Sequence, residues 1–277
     1  MPAGDAQEPK TATQPEASSP EAGPGSAPSF GQSSGQSAPP AAWLDSIQSL
    51  VATLIVAVFI ITFLVQAFQI PSESMEKTLL IGDYLLVDKL HFGGNHDSSF
   101  PVPYRAIQRR DIVVFRYPVD PSRHYVKRVI GLPKDRIRLV NKQVWVNGVP
   151  QQEPYVYLQG RPPDVFRDNF PRLDFLSPGI DPRWYVKMRN FVDRGELVVP
   201  DGAYFVMGDN RDDSEDSRYW GFVPQANIVG RPLLVYWSVR DGSGERSSLG
   251  DKIAHSLYLL THLNQFTRWD RTFRVVR

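Results

Sequence analysis

The sequence predicts a mainly β protein, carried behind a disordered N-terminal tail and one transmembrane helix. Three observations predict it. Residues 1–42 are Pro, Ala, Ser, Gly and Gln with scattered acids. A charge-free apolar run follows, from Leu50 to Phe68. After that run, short β-branched segments alternate with Gly, Pro and Asn.

Phe30 is the only bulky apolar residue between Met1 and Trp43. Such a tail buries too little apolar surface to offset the entropy of ordering. The apolar run with Ile47 before it and Ile70 after it has the length of a membrane span, and Trp43 sits where aromatic residues favour the interface. Thr53, Thr62 and Gln66 are its polar residues, and a helix hydroxyl can bond back to its own backbone. A cleaved signal peptide is the competing reading. The long polar leader, the missing basic start and the missing small-x-small site stand against it. A buried soluble helix is disfavoured because the run is apolar on every face. The expected boundaries are a tail at 1–42, an anchor at 43–69 and a folded domain at 70–277. The tail carries Lys10 against several acids, so loop charge does not set the orientation.

The strands expected are Asp83–Asp88, Asp111–Tyr117, Tyr125–Ile130, Arg136–Val140, Gln143–Asn147, Ala203–Met207 and Pro232–Trp237. Asn141-Lys142 joins two of them as a hairpin, and Asn147-Gly148 is the next turn. A barrel or sandwich-like fold follows from that pattern. Residues 151–196 hold repeated Pro and mixed charge with Phe166, Phe170, Phe175, Trp184 and Tyr185, and read as an insertion with little regular structure and one helix near Pro182–Arg194. Ile253, Leu257, Leu260, Leu263 and Phe266 recur at roughly helical spacing before Arg268, Arg271, Arg274 and Arg277. That segment is either a basic amphipathic surface for lipid or an element packed on the β domain.

Composition narrows the chemistry. The chain has 277 residues, with 31 Lys and Arg against 30 Asp and Glu. Near-neutrality argues against a nucleic-acid binder, which needs a basic field. The absence of cysteine excludes disulfides, thiolate metal sites and cysteine nucleophiles. His91, His96, His124, His255 and His262 form no catalytic or metal-ligand spacing, so no metal is expected.

Three stretches remain. Pro71-Ser72-Glu73-Ser74-Met75 places two serines just past the apolar run. Lys127 sits in an apolar strand pattern next to Arg128, and period-two alternation puts the two cations on opposite faces. A lysine can serve as a base only if its amine is neutral, and desolvation lowers its pKa. A snorkelling lysine on an edge strand is the bland alternative. Met207 to Gly221 packs Asp209, Asp213, Glu215, two arginines and serines between glycines. Its spacing does not fit a calcium loop, and a loop that bonds to itself, with Asp216 paired to Arg218, is the other reading.

Together the three stretches resemble the bacterial type I signal peptidases, also called leader peptidases. Pro71-Ser-Glu-Ser-Met-Glu-Lys-Thr-Leu79 followed by Gly82-Asp83 is similar to the family's nucleophile motif. Tyr125-Val-Lys-Arg-Val-Ile-Gly-Leu-Pro133 is similar to its lysine motif, and Gly208 to Arg218 to its acidic loop. Lys77 replaces the usual proline of the first motif, and Lys134 stands where the second often has glycine.

The resemblance implies a serine endopeptidase with a β-rich catalytic domain and no metal or organic cofactor. Its implied substrates are exported preproteins, cut after small-x-small sites. Ser74 is the implied nucleophile and Lys127 its base, with desolvation and the like charge of Arg128 lowering the amine. Ser72 and the Ser74 N–H are the implied oxyanion donors. Ser214 is expected to hydrogen-bond the lysine, and Asp216 and Arg218 to fix its loop. Ile70, Pro71, Met75, Leu79, Tyr125 and Val126 match the positions that line the shallow substrate pockets. The implied setting is the bacterial inner membrane, with the N-terminus cytoplasmic and the domain at 70–277 outside. Membrane lipid is a partner there and nucleic acid is not. A self-cleaving repressor would need a DNA-binding module that the tail does not supply. A non-enzymatic β module would leave Ser74 and Lys127 apart.

Overall fold

The computed structural model describes residues 42–59, 65–91, 105–240 and 266–276. Residues 1–41 of the tail expected at 1–42, His96, His255, His262 and most of the C-terminal helical pattern lie outside the described residues.

The first element is helix α1, Ala42–Phe59, with Leu50, Leu54, Ile55 and Val58 exposed. No described helix is long and apolar enough to cross a membrane. The expected anchor boundary at residue 69 needs correction. Val65–Gln69 is strand β1, paired antiparallel with β2 (Asp83–Asp88), Val65 opposite Asp88 and Gln69 opposite Tyr84. It holds Gln66 and Gln69 among Val65, Ala67 and Phe68, and the pairing satisfies a backbone that a helix would have satisfied internally.

The remaining strands are β3 (Ile112–Arg116), β4 (His124–Gly131), β5 (Arg136–Val140), β6 (Gln143–Val146), β7 (Val149–Pro150), β8 (Val192–Asp193), β9 (Glu196–Val198), β10 (Ala203–Met207), β11 (Val223–Pro224), β12 (Ile228–Ser238) and β13 (Arg274–Val275). They form an eight-stranded sheet in the order β1-β2-β12-β3-β4-β10-β11, with β13 on β12, and a five-stranded sheet in the order β7-β6-β5-β9-β8. Each of the expected strand segments overlaps one of these elements, with Asp111, Tyr117 and Asn147 falling just outside their strands. The hairpin at Asn141-Lys142 has φ of 49° and 69°, and Asn147-Gly148 has 53° and 78°. Two positive φ values are what two-residue hairpin turns of the twisted kind demand.

β3 is buried on both faces. Ile112 and Val114 join Ile70, Met75, Leu79, Leu85, Val87 and Val235 in one cluster, while Val113 and Phe115 join Tyr204, Val206 and Trp220 in another. Each such side chain contributes about 1.5–3 kcal/mol on burial. The large sheet curls, so that Phe68 of β1 brings its ring within 5.3 Å of the His124 ring on β4.

Residues 151–196 are more ordered than their composition suggests. Asp164 caps helix α2 (Val165–Asp168) and Asp181 caps helix α3 (Pro182–Met188), each accepting two backbone N–H bonds. Pro182 opens α3, where its missing N–H costs nothing. Phe166, Phe170, Trp184 and Met188 fill a core with Ile137, Leu139, Val144 and Leu197 of the small sheet. The described C-terminal residues pack on the β domain as the second of the two readings expected. Arg271 is buried against Asp83 at 2.5 Å, and Arg268 donates to the carbonyls of Ile81 and Val239.

Candidate active site

Ser74 lies in a single 3-10 turn, Glu73–Met75, that follows β1. Met75 is in the core and anchors that turn. Lys127 comes from the middle of β4. Its Nζ is 2.5 Å from the Ser74 Oγ, and both residues are buried. The rival in which these two groups stand apart is therefore ruled out by geometry. Burial pulls the Lys127 amine down to about 8, with a smaller push in the same direction from Arg218; Asp216, Glu215 and Asp209 oppose the drop.

Arg128 does not supply the expected repulsion. It is buried too, and its guanidinium grips Asp209 through two bonds of 2.8 and 2.7 Å. Its partner Asp209 carries the opposite charge and raises the Lys127 amine. Asp209 also accepts the Thr78 hydroxyl at 2.6 Å, which ties the stretch after Ser74 to the acidic loop.

That loop is held by helix α4 (Ser217–Trp220), which Asp216 caps by accepting from the Arg218 N–H. Asp216 and Arg218 pair at 2.8 Å with almost no exposure, and Arg218 donates onward to the carbonyls of Arg167 and Arg211. The pairing holds the Asp216 carboxyl below the usual range against the desolvation that raises it. Asp216 also accepts the Gly208 N–H at 3.2 Å. A Cβ at Gly208 would run into the Ser74 carbonyl and the Ser214 hydroxyl, so only glycine lets the end of β10 approach Ser74 this closely.

Two expected contacts come out differently. Ser214 is buried beside Gly208, but its Oγ has no hydrogen-bond partner among the described residues, so the expected bond to Lys127 is not formed. The lysine amine is directed at Ser74 instead. Leu79 is fully buried in the core with Leu85 and Val235 and does not line the cleft. The turn that follows Met75, in which the Leu79 N–H donates to the Met75 carbonyl at 2.8 Å, puts it inside. Ile70, Pro71, Met75, Tyr125 and Val126 do line a cleft of about 690 Å³ with Ser72, Ser74 and Lys127. Ser72 Oγ is 3.3 Å from Ser74 Oγ. No described cluster of His, Asp and Glu is arranged to hold a metal ion.

Residues 43–237 match the family described as signal peptidase, peptidase S26. Signal peptidase I of Pseudomonas aeruginosa is 36% identical over 213 residues, which cover 70% of this chain and 72% of that protein. Signal peptidase I of Pseudomonas fluorescens is 37% identical over 210 residues, covering 69% and 71%. The chain belongs to the signal peptidase, peptidase S26, family.

It is therefore a serine endopeptidase of the signal peptidase I class. A solved signal peptidase I from Enterococcus faecalis is 30% identical and covers 46% of this chain and 97% of that one, with a TM-score of 0.33, too low to bear on the fold. The two departures from the signal peptidase motifs have backbone consequences. Lys77 has φ of 73°, which proline cannot adopt, so the chain takes a different path there. Its amine sits 4.4 Å from the centre of the Tyr157 ring. Lys134 has φ of 72°, a conformation suited to the glycine it replaces.

Sequence reasoning missed the residues that brace the site from 151–196. Glu153 meets Arg211 through two bonds of 2.6 and 2.9 Å, both side chains buried. The Tyr157 backbone bonds to Asp209 and Arg211 on either side of Asn210. Asn210 in turn bonds to the carbonyls of Glu73 and Ser74. Nothing local marks these partners, which lie more than fifty residues apart in sequence.

Proposed function

We propose that the chain removes signal peptides from exported preproteins by Ser-Lys acyl-enzyme chemistry at a membrane surface. The observation that carries this reading is the 2.5 Å approach of the buried Lys127 amine to the Ser74 hydroxyl. An amine brought down to about 8 is neutral in a useful fraction near neutral pH. Neutral Lys127 takes the Ser74 proton as Oγ attacks the scissile carbonyl. The ammonium then returns that proton to the leaving amine, and water hydrolyses the acyl-enzyme. The Ser74 N–H and the Ser72 hydroxyl hold the oxyanion; removing one such donor costs about 3 kcal/mol of transition-state stabilisation. Asp216 and Arg218 keep the loop that packs behind Lys127 in place, with Ser214 among the residues packed there.

The substrate binds as an extended strand. β10 pairs with β4 only at Arg128, Val129 and Gly131, so the edge of β4 from His124 to Lys127 is left open opposite β3. β1 is paired on one side, with β2. Both open edges border the cleft, and an added strand gains main-chain bonds there. Ile70, Pro71, Met75, Tyr125 and Val126 leave room in that cleft for small side chains, matching small-x-small cleavage sites. The apolar stretch before β1 anchors the enzyme as a single pass, with its N-terminus cytoplasmic, in the bacterial inner membrane. The domain from residue 70 onward then faces the far side, where lipid and preproteins meet it. The exposed apolar side chains of α1 support that placement.

The test is cleavage of a preprotein by detergent-solubilised protein. Ser74→Ala, Lys127→Ala and Lys127→Arg are expected to be inactive yet folded by circular dichroism, since a guanidinium cannot give up its proton. Wild-type cleavage by any of the three would overturn the Ser-Lys assignment.

A further inference from the structure

Asn210 occupies a fully buried position directly beneath the nucleophile. Its side-chain Nδ2 donates to the Glu73 carbonyl at 3.2 Å, and its backbone N–H donates to the Ser74 carbonyl at 3.1 Å. It therefore holds both peptide groups that flank the nucleophile. Its Oδ1 is buried with no hydrogen-bond partner among the described residues, so the side chain is placed for what its NH2 group does.

The peptide joining Glu73 to Ser74 is the one that matters. A peptide unit is planar, so fixing its carbonyl fixes the direction of its N–H. That N–H belongs to Ser74. The Glu73 carbonyl also accepts the Glu76 N–H at 2.9 Å, which closes the 3-10 turn but comes from the same short stretch. Asn210 supplies the second donor, from a separate element. That element is itself braced. Tyr157 N–H donates to Asp209 at 2.8 Å, Arg211 N–H donates to Tyr157 at 3.1 Å, and Glu153 neutralises buried Arg211.

We propose that Asn210 is a positioning residue for the oxyanion site: its amide locks the Glu73–Ser74 peptide so that the Ser74 N–H points at the developing oxyanion, with residues 153–157 as its backing. This rests on the reading of Ser74 as nucleophile. Asn210 touches neither substrate nor the reacting atoms, and acts through the turn it holds. A misplacement of about 1 Å at a reacting group costs on the order of a hundredfold.

The experiment measures kcat, KM and inhibitor affinity for full-length Asn210→Ala and Asn210→Asp in detergent. The inhibitor is a peptide aldehyde with a small residue at its end. The Ser74 oxygen adds to the aldehyde carbon, and the carbonyl oxygen then sits where the oxyanion forms. A matched peptide amide that is not cleaved reports ground-state binding. The expected result is a fall in kcat of about 10- to 100-fold in both variants, with KM nearly unchanged. Aldehyde affinity should fall in parallel, the amide should bind as before, and the pH at which kcat/KM is half-maximal should stay in place. Wild-type kcat in Asn210→Ala would overturn the proposal. So would equal losses of aldehyde and amide affinity, or a moved pH profile, because each points to general loosening or to an effect through Lys127. Ser74→Ala run alongside separates the cases: if it still cleaves, the nucleophile assignment fails, and if it is dead while Asn210→Ala is fully active, only the role of Asn210 fails.

Discussion

Between pH 9 and pH 7, kcat/KM should fall about tenfold through one titrating amine. Lys127 sits buried at 2.5 Å from Ser74 with its pKa brought down to about 8. At pH 7 about a tenth of such an amine is neutral, at pH 8 about half and at pH 9 about nine-tenths. The drop from about 10.4 for a free lysine corresponds to about 3 kcal/mol favouring the neutral form. The same number appears in stability with a definite sign. Between pH 8 and about 10.4 the unfolded chain binds a proton on this lysine that the native chain does not, so stability rises with pH across that window. Below pH 8 the penalty is fully present. Lys127→Met should therefore be inactive but more stable at pH 7 by up to about 3 kcal/mol, the gain vanishing near pH 10. The assays are initial rates on a fluorogenic peptide at low concentration from pH 6 to 10, and denaturant midpoints of both proteins at pH 7 and 10. A rate profile rising only near pH 10, or a Lys127→Met protein less stable than wild type at pH 7, would refute the burial mechanism.

Two more outcomes follow from the same geometry. Glu215 is exposed and raises the Lys127 pKa through its charge. Glu215→Gln should move the half-maximal pH of kcat/KM downward, more at low salt than at high salt; an upward shift would contradict the sign. Leu79 is a core residue, so Leu79→Ala should lower unfolding free energy by about 2–5 kcal/mol. Its cleavage-site preference, read by mass spectrometry of peptide products, should stay that of wild type, whereas a changed preference would return Leu79 to the substrate pocket.

The strands and hairpin turns were legible because their signals are local. β-branched alternation and the Asn141-Lys142 and Asn147-Gly148 turns each act over a few residues. Ser74 and Lys127 were legible as motifs, through resemblance rather than through periodicity, since a lone strand lysine reads equally as a solvated one. Val65–Gln69 was misread because an apolar run has no internal mark where a helix stops and a strand begins. Only the pairing with Asp83–Asp88 decides it.

By itself, the sequence determined a mainly β domain, a serine–lysine pair of candidates and an acidic loop of the signal peptidase kind. Tertiary structure decided that Lys127 is buried against Ser74, that Arg128 is neutralised by Asp209 and that Leu79 lies beneath the cleft. It also decided that residues 151–196 brace the loop which bonds to the Ser74 turn. The physical reason is range. Propensity and turn chemistry act between neighbours, while burial, pairing and the pKa that follows depend on groups brought together from distant parts of the chain, as Thr78 and Asp209 are across 131 residues.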